Sequence, residues 1–196
     1  MPRSYYYSRV GGVVWFVAPK CGTRTTFKAC NNIEFRFPEN IGRNPLPDSY
    51  DFSFSFVRNP YDRLVSCYTQ KIVEPLLPDE GFSKVTPRKR LNAEKPNFCD
   101  FVSYALSDEV IHLDVHWDTL HNLMPVTEVD FIGRVENFQE DFNSLCDKLS
   151  IPRQDLPHKN KSKHKHYTEY YDDETRSIVA EKYAKDIEYF GYKFGE

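Results

Sequence analysis

Eight consecutive residues, Pro19-Lys20-Cys21-Gly22-Thr23-Arg24-Thr25-Thr26, combine the groups that hold an oxyanion. Lys20 supplies a point positive charge, and Gly22 lets the main chain approach a ligand closely. Thr23, Thr25 and Thr26 bring hydroxyls and N–H groups to what reads as a helix start. Just before them, the apolar run Val13 to Val17 reads as a strand buried on both faces. A strand that leads through such a turn into a helix suits a phosphorylated or sulfated group, because unpaired amides and the helix dipole both favour negative charge. Taken alone, a solvent loop explains Lys-x-Gly-Thr equally well. The turn is not a Walker loop, in which the lysine follows the second glycine; here Lys20 precedes Gly22. Cys21 lies between Lys20 and Arg24, which would activate a thiol, although a packed apolar role is commoner for cysteine.

A second cluster follows Asp51 to Val57, where Phe52, Phe54 and Phe56 alternate with Ser53 and Ser55 as in a strand. Arg58 stands at the strand's carboxyl end. Asn59 then caps a helix, Pro60 suits its first position, Asp62 favours its dipole, and the helix is expected to run to about Val73. Asn59, Arg63 and Ser66 recur on one helix face, and an arginine fork with a serine hydroxyl suits a phosphate. The plainer alternative pairs an arginine with Asp62 and turns the serine to solvent.

The elements that must position these groups are legible in outline. Arg24 to Asn32 reads as a short helix, and Asn97 caps another that buries Phe98, Phe101, Val102, Ala105 and Leu106. Val129 to Ile132 reads as a third strand. Gly133-Arg134 leads from it to a helix with Asn137 as cap and Glu140 as its capping-box partner. A last helix starts at Asp172, buries Ile178, Val179, Tyr183, Ile187 and Phe190, and stops at Gly191. The basic tract Lys84 to Lys95 reads as a loop that either meets an acidic substrate or is simply solvated, and Arg153 to His166 is a second basic stretch.

Composition narrows the field. The 196 residues suit one domain, 1–196, rich in aromatics with 15 Phe, 13 Tyr and 2 Trp. A net charge of −3 gives no reason to expect nucleic acid or an anionic membrane as partner. Five cysteines without a C-x-x-C pair fit reduced thiols. Arg3, Tyr5, Tyr6, Tyr7 and Arg9 interrupt any apolar leader, so the expectation is a soluble, cytoplasmic chain with no membrane span. His158, His164 and His166 match no usual zinc spacing, so no metal is expected.

The two turns together resemble the signature of sulfotransferases that use 3′-phosphoadenosine 5′-phosphosulfate (PAPS). More narrowly, FVRNPYDRLVSCY, the His116-Trp117 pair, FIGRVENFQEDFNSLC and HYTEYYDDETRSIVAEKYAKDIEYFGYKF are similar to the carbohydrate sulfotransferase family that includes the chondroitin and HNK-1 enzymes. The likeness runs from about Val13 to Phe194. It implies that Lys20, Gly22, Thr23, Arg24, Thr25 and Thr26 cradle the 5′-phosphosulfate, and that Arg58 and Ser66 bind the 3′-phosphate. It further implies that the loop His158 to His164, with Asn160 and Ser162, closes over the cofactor. Lys20 would neutralise charge on the leaving phosphate. A general base would take the proton of the acceptor hydroxyl: His116, which titrates near neutrality and matches the family's His-Trp pair, or else Glu34 or Glu39. Against His116 stands an ordinary core or surface histidine. Asp118-Thr119-Leu120 replaces the Arg-Pro-Gln run that often follows that pair, which points to a different acceptor preference.

The expected fold is α/β: a P-loop-like, three-layer domain with a short, mostly parallel central sheet flanked by helices. The expected activity is transfer of a sulfuryl group from PAPS to a hydroxyl of a carbohydrate or other hydroxyl-bearing acceptor. The competing readings are a P-loop-type kinase and a non-catalytic nucleotide- or metal-binding module. Animal relatives are Golgi membrane proteins, which contrasts with the placement expected from this chain's own N-terminus.

Overall fold

The apolar run before the lysine turn becomes a strand with every residue buried, Val13–Phe16 (β2). In this computed structural model the described residues are 5–8, 10–33, 48–73, 96–156 and 165–196. They fall into two compact units, Met1–Arg58 with Leu120–Lys161, and Asn59–Thr119 with Ser162–Glu196.

The first unit carries a four-stranded sheet in the order β1 (Tyr5–Ser8), β2, β3 (Phe52–Val57), β4 (Phe131–Arg134). β1 runs antiparallel to β2, while β2, β3 and β4 are mutually parallel. The strand at Tyr5–Ser8 was not among those expected; its tyrosines have high strand propensity and pair directly with β2, Tyr6 opposite Trp15. In the parallel register Trp15 faces Phe54, with rings 5.9 Å apart and 2° from parallel. Tyr6, Trp15, Phe54 and Phe56 thus form one aromatic face. It is met by Phe27 of α1 (Thr23–Ile33), 5.3 Å from Tyr6, and by Phe138 of α5 (Phe138–Lys148), 5.0 Å from Phe56. Offset and edge-on ring pairs of this kind add about 0.5–1.5 kcal/mol each beyond the area they bury.

The serines that alternate with these phenylalanines are fully buried and hydrogen-bonded. Ser55 Oγ donates to the Phe16 carbonyl at 2.8 Å, and Ser53 donates through both N (2.8 Å) and Oγ (2.7 Å) to Asp130 Oδ2. That second pair explains why β4 begins at Phe131 rather than Val129: the Asp130 side chain caps the neighbouring strand. A further correction concerns α5. Asn137 makes no side-chain cap; a 3-10 turn, Val135–Asn137, leads in, and Asp141 accepts from Arg134 N at 2.6 Å. A short helix, α4 (Leu120–Leu123), completes this unit.

In the second unit Asn59 caps α2 (Pro60–Tyr68) by accepting from Tyr61 N, as expected, and its amide nitrogen donates to the Lys193 carbonyl at 2.9 Å. The helix does not continue regularly to Val73; Thr69–Val73 is a π-helical turn. Reciprocal capping boxes start α3 (Phe98–Ala105), between Asn97 and Asp100, and α6 (Asp173–Lys182), between Asp172 and Thr175. Leu64, Val65, Phe101, Val102, Trp117, Val179 and Tyr183 lie in one core. The last helix is broken at Tyr183, after which α7 (Ala184–Phe190) ends at left-handed Gly191. Tyr183 is buried and its hydroxyl donates to the Trp117 carbonyl, so the break trades helix continuity for a buried hydrogen bond. No described helix is long and apolar enough to cross a membrane.

Candidate active site

Lys20 is built into its turn at a conformational cost. Its φ is +72°, left-handed for a residue with a β-carbon, and Gly22 has φ +71°. Left-handed residues turn successive amides toward one side, the concavity that receives anions, and such strain in a non-glycine residue concentrates at functional positions. Glycine suits position 22, where φ is left-handed and an added Cβ would lie 2.4 Å from Phe138 Cζ and force that ring to move. The turn is tied down internally. Cys21 N donates to the Ala18 carbonyl at 3.2 Å and Thr23 Oγ1 to the same carbonyl at 3.3 Å, while Thr25 N and Thr26 N both donate to the Gly22 carbonyl at 3.0 Å. The helix start therefore presents the amides of Thr23 and Arg24 with no acceptor inside the helix.

Thr26 brings a further polar group to the start of this helix. It is fully buried, and its hydroxyl has no hydrogen-bond partner among the described residues. A buried donor left unmet costs about 1–3 kcal/mol. Arg58, at the end of β3, donates from Nη1 to the Lys20 carbonyl at 3.4 Å, which brings the arginine of the second turn to the first. Positive charge, amides at a helix start and an unmet hydroxyl suit an oxyanion. Cys21 is buried, with its thiol directed at the Pro19 carbonyl, and has a packing role.

In the second unit His116 is held from one side. Its Nδ1 lies 2.6 Å from Asp114 Oδ1, whose other oxygen lies 2.7 Å from Lys71 Nζ. The Asp114 side chain is 3% exposed and that of His116 23%. Burial pushes the Asp114 carboxyl up, but the hydrogen bond and charge of His116 and the Lys71 ammonium outweigh it and hold the group well below the usual carboxylate range. The stabilisation is therefore present above the ordinary aspartate pKa and is lost in strong acid. The adjacent Trp117 is fully buried, its indole donating to the Val110 carbonyl at 3.3 Å, so it anchors the segment. His112 makes a parallel pair with buried Asp118 at 2.7 Å.

Arg63 takes a role that its helix face did not suggest. It is 2% exposed, and its guanidinium donates to the Asp118 carbonyl at 2.7 Å and the Val115 carbonyl at 3.2 Å, clasping the segment that bears His116. Ser66 is also buried rather than turned to solvent. Arg63→Lys is expected to cost about 1–3 kcal/mol, since an ammonium does not reproduce the fork to two carbonyls. Urea unfolding with matched slopes would measure it; a loss under 0.5 kcal/mol would exclude the clasp.

Asp114 and Lys71 escaped the sequence reading. The Asp-x-His spacing was a signal for the first, whereas Lys71 is delivered by the π-helical turn. Glu34, Glu39, Asn160 and Ser162 lie outside the described residues, as does the basic tract Lys84 to Lys95. Among the described residues no group of three or more His, Cys, Asp or Glu side chains is placed to hold a metal ion.

Comparison with known proteins yields a family match and several relatives. The model of the sulfotransferase family matches residues 5–193. Human carbohydrate sulfotransferase 9 is 26% identical over 148 residues, 67% of this chain and 32% of that protein. Human carbohydrate sulfotransferase 8 is 31% identical over 111 residues, covering 50% and 26%. Carbohydrate sulfotransferase 14 of Danio rerio is 26% identical over 113 residues, covering 52% and 31%. The chain thus spans about a third or less of the length of these curated relatives. No solved structure matches it.

Proposed function

The chain belongs to the sulfotransferase family, and from that premise we propose that it transfers a sulfuryl group from PAPS to a hydroxyl of a carbohydrate acceptor. The observation that carries this reading is the strained lysine turn with its unmet Thr26 hydroxyl and with Arg58 drawn to it. The names of the relatives support a carbohydrate as acceptor. PAPS, when bound, supplies the sulfuryl group in activated form.

On this reading Gly22, Thr23, Arg24, Thr25 and Thr26 bind and orient the 5′-phosphosulfate through amides and hydroxyls, which suits a reaction that demands mainly positioning and charge stabilisation. Lys20 meets the charge that develops on the leaving phosphate. Arg58 and Ser66 take the 3′-phosphate, with Asn160 and Ser162 contributing from their loop. His116 accepts the proton of the acceptor hydroxyl at Nε2, since Nδ1 is committed to Asp114.

Titration calorimetry with 3′-phosphoadenosine 5′-phosphate in EDTA tests the donor site. Lys20→Ala and Arg58→Ala are each expected to remove about 1.5–3 kcal/mol, roughly a 10- to 150-fold loss of affinity. Absence of binding to the unaltered chain would overturn the reading. Transfer of labelled sulfate from PAPS to a panel of neutral and acidic glycans then tests the activity itself.

A further inference from the structure

The second oxygen of Asp114 is taken by an ammonium, and that ammonium arrives through an irregular piece of helix. π-helical turns are rare and cluster at functional positions. The turn Thr69–Val73 brings Lys71 Nζ to 2.7 Å from Asp114 Oδ2 and 5.1 Å from the centre of the Trp117 ring. Asp114 also accepts from His116 N at 2.9 Å through the oxygen that meets the ring, so the main chain and the imidazole are fixed together.

We propose that Asp114 and Lys71 are positioning residues for His116: Asp114 holds the Nδ1 proton so that Nε2 is the acceptor, and Lys71 offsets the carboxylate's charge so that the ring stays neutral near neutral pH. The inference rests on the reading of His116 as the base. A lone buried carboxylate would favour imidazolium and raise the histidine's pKa, which disables a base; a cation on the same carboxylate acts in the opposite sense. Among the described residues, Arg63, His112 and Tyr183 are ionisable groups that also bond to this segment. Arg63, from α2, binds the Val115 and Asp118 carbonyls and remains charged, and His112 is matched with Asp118. Tyr183, between α6 and α7, donates to the Trp117 carbonyl, and burial pushes its phenol up so that it stays protonated.

The two substitutions carry opposite signs. Histidine ring signals of the full chain can be followed by NMR against pH, the His116 signal among the six histidines being the one lost in His116→Gln. Lys71→Met, which keeps an apolar stem over Trp117, is expected to raise the His116 pKa by about one unit, and Asp114→Asn to lower it by about one unit. The acid limb of the kcat/KM profile for sulfate transfer should move with each. A purely structural role would leave the titration in place: a His116 pKa within about 0.3 unit of the unaltered chain in folded Lys71→Met overturns the inference, even where Asp114→Asn does not fold. Shifts of opposite sign in a chain that transfers no sulfate would uphold the pairing and overturn the proposed activity instead.

Discussion

Replacing His116 by alanine is expected to lower kcat for sulfate transfer by about 10²- to 10⁴-fold, the usual span for losing a positioned general base, or roughly 3–5 kcal/mol in barrier. The affinity for 3′-phosphoadenosine 5′-phosphate should hold within about twofold, because the proposed task of this side chain is to take the acceptor's proton rather than to grip the donor. The alternative is that His116 merely packs. Its side chain is partly exposed while neighbouring Trp117 is wholly buried, so an alanine at 116 deprives the core of little and any large effect on rate speaks for chemistry. Single-turnover sulfate transfer, measured beside a thermal melt, separates the two. A kcat within threefold of the unaltered chain would pass the assignment of the base to Glu34 or Glu39.

Different parts of this arrangement were legible for different physical reasons. The lysine turn could be read because its signals are local: a strand of large apolar residues, a glycine, and hydroxyl residues at a helix start all fall within fourteen positions. The Asn59 cap was equally local. The Arg63 clasp was out of reach because helical periodicity says which face a residue occupies and nothing about what the fold brings to that face. Its partners, the carbonyls of Val115 and Asp118, lie more than fifty positions along the chain. Lys71 was hidden by the π-helical turn, since a regular helix is the only continuation that apolar spacing predicts. The start of β4 and the lost Asn137 cap share a cause: Asp130 and Asp141 satisfy main-chain amides that pattern reading assigns to nearer neighbours. The unmet Thr26 hydroxyl is a property of burial and has no counterpart in the sequence.

Gly22→Ala should be strongly destabilising, and its cost divides into two measurable shares. Holding an L-residue at φ +71° costs about 1–2 kcal/mol. The new methyl, 2.4 Å from Phe138 Cζ, forces the ring to move, and overpacking of this sort costs about 1–3 kcal/mol. Together they predict a melting temperature lower by roughly 5–15 °C for a chain of this size. The ring is the tip of a side chain that packs edge-on against Phe56, so it has a route of escape, although only by giving up that contact. In a Phe138→Ala background the steric share should vanish and the conformational share remain, an interaction energy that a double-mutant cycle reads directly. Nucleotide binding should fall at least tenfold in both backgrounds, because the glycine sets the direction of the amides at the helix start whether or not the ring is present. Equal cost with and without Phe138 would remove the ring from the explanation. A cost below 0.5 kcal/mol in either background would mean that the turn does not need its left-handed glycine, and the strained lysine beside it would lose its claim to be the centre of the site.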